Sequence, residues 1–221
     1  MEAVRIRKLN NANLHIECDY GQAEELNEFF SFFVPGYKFM PAFKRRVWDG
    51  KIRLFDKRSG ELPAGLIYHL VQFLESRGYN YEAVRTLYGM PYSEDKIDAK
   101  ELAQFISKLN LPHTMRDYQF LAVIEGLKRQ RGVLLSPTGS GKSLIIYVLL
   151  SYYLGRLRGS SNKKVLVIVP TTSLVEQMTN DFIDYNMPKG LAHKIYSGKD
   201  KDTDAPIIVS TWQSIYRLPK E

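Results

Sequence analysis

Polar and apolar positions divide the chain into two stretches that follow different rules. Up to about residue 90, the short runs VRIRKL (4–9), NLHIEC (13–18) and KIRLF (51–55) put apolar side chains at alternate positions, the spacing of a half-buried strand. Between them, AEELNEFFSFF (23–33) and GLIYHLVQFLESRG (65–78) have helical spacing, and the second closes on Gly78 as a C-terminal cap. This mixture predicts a small α+β domain over residues 1–90.

Around TLYGMPYSEDKID (86–98) the pattern breaks into Gly, Pro and charge, the mark of a boundary. Residues 91–113, with the helical stretch AKELAQFISKLN (99–110), read as a linker and bridging helix. From Thr114 onward, strands and helices alternate. A helix over 115–132 leads into the short apolar strand VLLS (133–136), a glycine-rich loop and a nearly all-apolar helix. KVLVIVP (164–170) is then a strand, TSLVEQMTNDFIDY (172–185) a helix, and HKIYS (193–197) and PIIVST (206–211) further strands. Such alternation predicts βαβ units, so residues 114–221 are expected to form an α/β domain with a mostly parallel sheet covered on both faces.

The longest uncharged apolar stretch, SLIIYVLLSYYLG (143–155), falls short of the ~20 residues that span a bilayer, and the N-terminus is charged where a signal peptide would be apolar. The single Cys18 allows no disulfide framework within the chain. Together these point to a cytoplasmic protein without a membrane partner.

The net charge of +7 says less than its distribution: Lys38 to Arg58 holds eight cations against Asp49 and Asp56. Asp49-Gly50 is a two-residue hairpin signal. The register it sets pairs Trp48 with Lys51 and Arg46 with Arg53. Lys44, Arg46, Trp48, Lys51 and Arg53 then share one face, and Val47, Ile52 and Leu54 the other. Like charges stacked across strands are unfavourable alone, so their gathering suits contact with nucleic acid. The competing reading is a solvated edge that discourages aggregation.

The loop SPTGSGKS (136–143) lies between the strand VLLS and a helix, the setting a phosphate-binding loop requires. Gly139 and Gly141 permit backbone angles that turn successive N–H groups inward, with Thr138 and Ser140 in the same cradle. Lys142 can reach the β- and γ-phosphates, and the Ser143 hydroxyl can ligate Mg2+. Ser136 stands where Gly or Ala is usual. The alternative is a Gly/Ser-rich surface loop that happens to contain Lys.

Upstream is RDYQ (116–119); downstream are PTTSLVEQ (170–177) and STWQS (210–214), both hydroxyl-rich segments that follow an apolar strand. In this order and spacing, over residues 114–215, the four segments resemble the motifs of superfamily 2 helicases. The whole chain, with its basic N-terminal segment, resembles bacteriophage members of that superfamily. The resemblance implies a partial RecA-like P-loop domain that uses ATP and Mg2+, with Lys142 and Ser143 as catalytic residues and Gln119 and Arg116 at the adenine. It also implies that Thr171 and Thr211 contact the tracked strand, and that the activity serves replication, recombination and repair. The substrates would be branched or duplex DNA and RNA–DNA hybrids, handled by a monomer in the host bacterial cytoplasm. Thr172 reads equally as a helix cap, and Trp212 as packing.

No Asp-Glu dipeptide follows the loop. The acidic motif II, a second RecA-like domain and its arginine finger are therefore expected beyond this chain, which would be a catalytically incomplete N-terminal part; the finger contributes about 10^3 to 10^5 in rate in related NTPases. A GTPase would need an NKxD base reader, and NKKV (162–165) lacks its Asp. A kinase would need a lid and an acceptor site. A nucleic-acid-binding module without motor activity is the third alternative.

Overall fold

The computed structural model describes residues 3–92, 96–157, 163–196, 198 and 201–216. Residues 93–95, within the expected linker, and Ser197, at the end of an expected strand, lie outside the described residues. The chain divides into two units, Met1–Glu94 and Asp95–Glu221.

In the first unit, β1 (Val4–Lys8) and β2 (Asn13–Glu17) pair antiparallel, Ile6 opposite Ile16. Helix α1 (Tyr20–Phe29) opens on a capping box: Asp19 Oδ1 accepts from Gln22 N at 2.8 Å, and Gln22 Oε1 from Asp19 N at 3.0 Å. Strand β3 (Ser31–Phe33), helix α2 (Pro41–Lys44), β4 (Lys51–Arg53), β5 (Glu61–Pro63), α3 (Ile67–Arg77) and β6 (Tyr81–Val84) follow. A four-stranded sheet runs in the order β5-β2-β1-β6, with β6 parallel to β1. Alternation decides its faces. Val4, Ile6, Leu14, Ile16 and Leu62 point inward onto Leu26, Leu70, Phe73 and Leu74. Arg5 and Arg7 point outward to Glu82 and Glu17, at 2.6 and 2.7 Å. The outer pairs are exposed and stabilise little, whereas truncating a fully buried Leu70 or Leu74 would cost about 2–5 kcal/mol.

Two expectations for this unit are corrected. The helix expected to run to Phe33 ends at Phe29, because Phe30 caps it and residues 31–33 pair with β4, Phe32 opposite Ile52. The Asp49-Gly50 hairpin does not form. Pro41 starts a helical turn, Arg45 N donates to Pro41 O at 2.9 Å, and Arg46 has φ 58°, so residues 44–48 cannot be an extended partner for β4. β4 takes β3 instead.

The second unit contains α4 (Ala99–Ser107), α5 (Asp117–Arg129), α6 (Lys142–Leu157), β7 (Val165–Val169), α7 (Thr172–Asp184), β8 (Ala192–Ile195), β9 (Ile207–Thr211) and α8 (Trp212–Ile215). The sheet, ordered β7-β9-β8, is parallel throughout. Its inward side chains Val167, Val169, Ile207 and Val209 pack with Tyr147 and Leu150 of α6 and Val175 and Phe182 of α7. Helix α4, expected as a bridge, is built into this unit: Leu102 joins Val123, Ile124 and Leu127 of α5 and Ile145 and Val148 of α6.

Here too the sequence pattern misleads in places. VLLS forms no strand: residues 133–136 join no ladder among the described residues, and Val133 and Leu135 are 92% and 99% exposed. One face of the sheet is packed; on the other, Ser210 and Ile195 are buried while Leu166 and Ile168 of β7 stand exposed, so the expected cover is incomplete at that strand. No helix among the described residues is long and apolar enough to cross a membrane.

Candidate nucleotide and nucleic-acid sites

The loop 136–143 delivers the backbone its glycines imply. Gly139 and Gly141 have φ +80° and +76°, in the left-handed region, and the 16-residue helix α6 starts at Lys142. The backbone N–H groups of Gly139, Gly141, Lys142 and Ser143 have no partner among the described residues, as expected of an anion cradle at a helix N-terminus. Lys142 Nζ donates to Ser136 O (3.2 Å) and Pro137 O (2.8 Å), which folds the ammonium back across the loop. Ser140 Oγ donates to Pro137 O at 2.8 Å and bonds the Ser136 hydroxyl. The serine found where Gly or Ala is usual thus helps to close the turn.

Gln119, expected at the adenine, is 6% exposed with both ends of its amide bonded to backbone. Oε1 accepts from Arg116 N at 2.9 Å, and Nε2 donates to Ser140 O at 2.9 Å. Tyr118, not singled out from the sequence, donates to the same carbonyl at 3.0 Å. In this arrangement Gln119 braces the loop, and the exposed Arg116 and Tyr118 line an open pocket with Thr138, Pro137 and Ile145. Ser143 Oγ lies 3.0 Å from the Tyr185 hydroxyl, at the far end of α7. Nothing in the spacing of the sequence announces that contact.

At the C-terminal ends of the strands, exposed Thr171 caps α7: Oγ1 accepts from Leu174 N at 3.3 Å and lies 3.0 Å from Ser173 Oγ. Thr172 is the first residue of α7, not its cap. Thr211 is 4% exposed and bonds Ser214 Oγ at 2.9 Å, so its hydroxyl faces inward. Trp212, expected to pack, is 60% exposed and stacks on Tyr216 with ring centroids 5.9 Å apart.

In the first unit the basic residues meet without the expected hairpin. An open groove is lined by Lys38, Phe43, Lys44, Arg46, Trp48 and Arg53, among others. Lys38 and Phe43 enter because the helical turns bring them round. Lys51 lies outside the lining, its ammonium 5.1 Å from the Phe33 ring centroid. Trp48 Nε1 donates to Lys51 O at 2.9 Å, which fixes the indole. Asp49 grips the Arg53 guanidinium with both carboxylate oxygens. That bond, with the Lys51 backbone N–H, holds the Asp49 carboxyl at about 2, below the usual carboxylate range.

A glycine phosphate loop, hydroxyl-bearing strand ends on a parallel sheet and a preceding α+β unit with a basic groove define a superfamily 2 helicase part. Residues 3–83 match the family described as DNA helicase UvsW, N-terminal, and residues 112–220 match type III restriction enzyme, res subunit. The chain is 37% identical over 223 residues to the ATP-dependent DNA helicase uvsW of Enterobacteria phage T4, covering 95% of itself and 42% of that protein. It is 29% identical over 131 residues to the DNA 3'-5' translocase XPB2 of Sulfurisphaera tokodaii, covering 58% of itself and 26% of that protein. All of it superposes on a crystal structure of the bacteriophage T4 UvsW helicase, with TM-score 0.85 and 34% identity, covering 78% of that chain. A second T4 UvsW structure gives 0.86, with 45% of that chain covered. The chain belongs to the UvsW helicase family. It spans less than half the length of the curated relatives it matches.

Proposed function

We propose that this chain is the nucleotide-binding and substrate-engaging part of an ATP-dependent DNA helicase. The observation that supports it best is the loop at 138–143, where two left-handed glycines, backbone N–H groups without a partner among the described residues, Lys142 and Ser143 come together at the start of α6. Lys142 exchanges two backbone carbonyls for phosphate oxygens, the stronger, charge-assisted partners. Ser143 supplies a hydroxyl to Mg2+, which neutralises phosphate charge when bound. Arg116 and Tyr118 border the space for the base, while Gln119 keeps the Ser140 carbonyl turned away from the phosphates.

The basic groove engages the substrate. Lys38, Lys44 and Arg46 suit phosphates, and Phe43 and Trp48 offer aromatic surface to unstacked bases. Thr171 presents its hydroxyl at an exposed strand end, whereas the turned-in Thr211 leaves that edge to Trp212. Branched or duplex DNA and RNA–DNA hybrids, handled by a monomer in the bacterial cytoplasm, are the expected setting.

Titration of ATP against the chain and its Lys142→Ala variant tests the nucleotide site. Losing a charge-assisted contact should weaken affinity about tenfold or more, and equal affinities overturn the reading. ATPase assays of the full-length protein with single-stranded, duplex, forked and hybrid substrates test the motor. No stimulation by any of them overturns the helicase assignment.

A further inference from the structure

A serine hydroxyl has one proton and two lone pairs. To ligate a cation it uses a lone pair, so its proton must go to another acceptor. On a helix, the default acceptor is a carbonyl of the preceding turn, which fixes the side chain in whatever rotamer that bond demands. Ser143 is bonded differently: its Oγ lies 3.0 Å from the Tyr185 hydroxyl.

Tyr185 is itself held on several sides. It caps α7, its backbone N–H bonded to Asp181 O at 2.9 Å. Its ring lies 5.5 Å from that of Tyr147, a buried α6 residue packed on Phe182. The next residue, Asn186, is in the left-handed region with φ 69°, and its side chain donates to Asn110 O. A phenol fixed in this way offers an acceptor at a set place beside Ser143, the last residue of the loop.

We propose that Tyr185 is a positioning residue for the divalent cation that accompanies the nucleotide. It accepts the hydrogen bond of the Ser143 hydroxyl and so leaves both Ser143 lone pairs available to the metal. This rests on the phosphate-loop reading above and adds to it a residue outside every segment that carried the helicase resemblance. No bond is made or broken beyond the hydrogen bond itself.

The test compares ATP titrations of the native chain, Tyr185→Phe, Ser143→Ala and the double variant, each with Mg2+ and with EDTA. The phenylalanine keeps the ring against Tyr147 and removes only the acceptor. In Mg2+, Tyr185→Phe should lose about fivefold in affinity, the weight of one hydrogen bond, while its EDTA value stays with the native chain. On the Ser143→Ala background, the same substitution should change nothing further. Equal losses with and without Mg2+ reduce Tyr185 to a packing residue and overturn the proposal, as does no loss at all. If the native chain shows no Mg2+-assisted ATP binding and Lys142→Ala makes no difference, the phosphate-loop reading fails first and takes this inference with it.

Discussion

The side-chain amide of Gln119 occupies the space that a β-carbon on residue 141 would need. Gly141 is thus fixed twice, by its φ of +76° and by the brace that runs from Gln119 to Ser140 O. Alanine at 141 should lower stability by about 1–2 kcal/mol from backbone strain alone, and further by displacing the brace. Adding Gln119→Ala should relieve the steric part and leave the strain. Denaturant unfolding of the two single variants and the double variant reads that coupling, and strict additivity would exclude it.

Gln119→Ala alone separates a brace from a base reader. With both ends of the amide already bonded to backbone, its removal loosens the loop for any nucleotide. ATP and GTP affinities should therefore fall by the same factor. A change in their ratio would show that the amide turns to meet the base.

The Asp49–Arg53 clasp sets a pH window. A carboxyl held at about 2 contributes stability in full above its ordinary value near 3.9, and loses that contribution as pH falls through 2. The groove should therefore keep its charge pattern from neutral pH down to about 3. Asp49→Asn removes a like charge to DNA and frees Arg53. The salt dependence of DNA binding, measured by fluorescence anisotropy, should steepen by roughly 0.7–0.9.

Lys44 and Arg46 line the groove, and Lys51 does not. Replacing the first two by alanine should reduce the salt slope by roughly 1.4–1.8, whereas Lys51→Ala should leave it nearly unchanged. A larger effect at Lys51 than at Lys44 would return the substrate face to the strand-paired arrangement that the sequence suggests.

The contrast at Lys51 shows what the sequence could convey. Local signals read well: the Gly78 cap, the alternation of β1 and β2, the helical period of α3, α5 and α7, and the two loop glycines all depend on neighbours within a turn or so. Failures arose where the deciding partner is remote. Asp49-Gly50 is a hairpin signal only if the residues before it are extended, and Pro41 makes them helical. FFSFF continues a helical run until β4, some twenty residues later, claims it as a strand. VLLS has the composition of a buried strand, but a strand needs a ladder beside it. In the loop, Gly139 and Gly141 have the left-handed backbone that the motif implies, whereas Tyr118 and Tyr185 became visible only once the chain had folded back on itself.

Helix α7 has a hydroxyl at each end: Thr171 at its cap and Tyr185 where its last turn reaches Ser143. Its 13 residues make a rod about 20 Å long with no glycine or proline to bend it. A rod of that stiffness cannot be pushed at one end and stay still at the other. Were a strand to load the Thr171 hydroxyl, a rod of this kind would carry that load toward the phenol, and the two ends would be coupled by mechanics as well as by affinity.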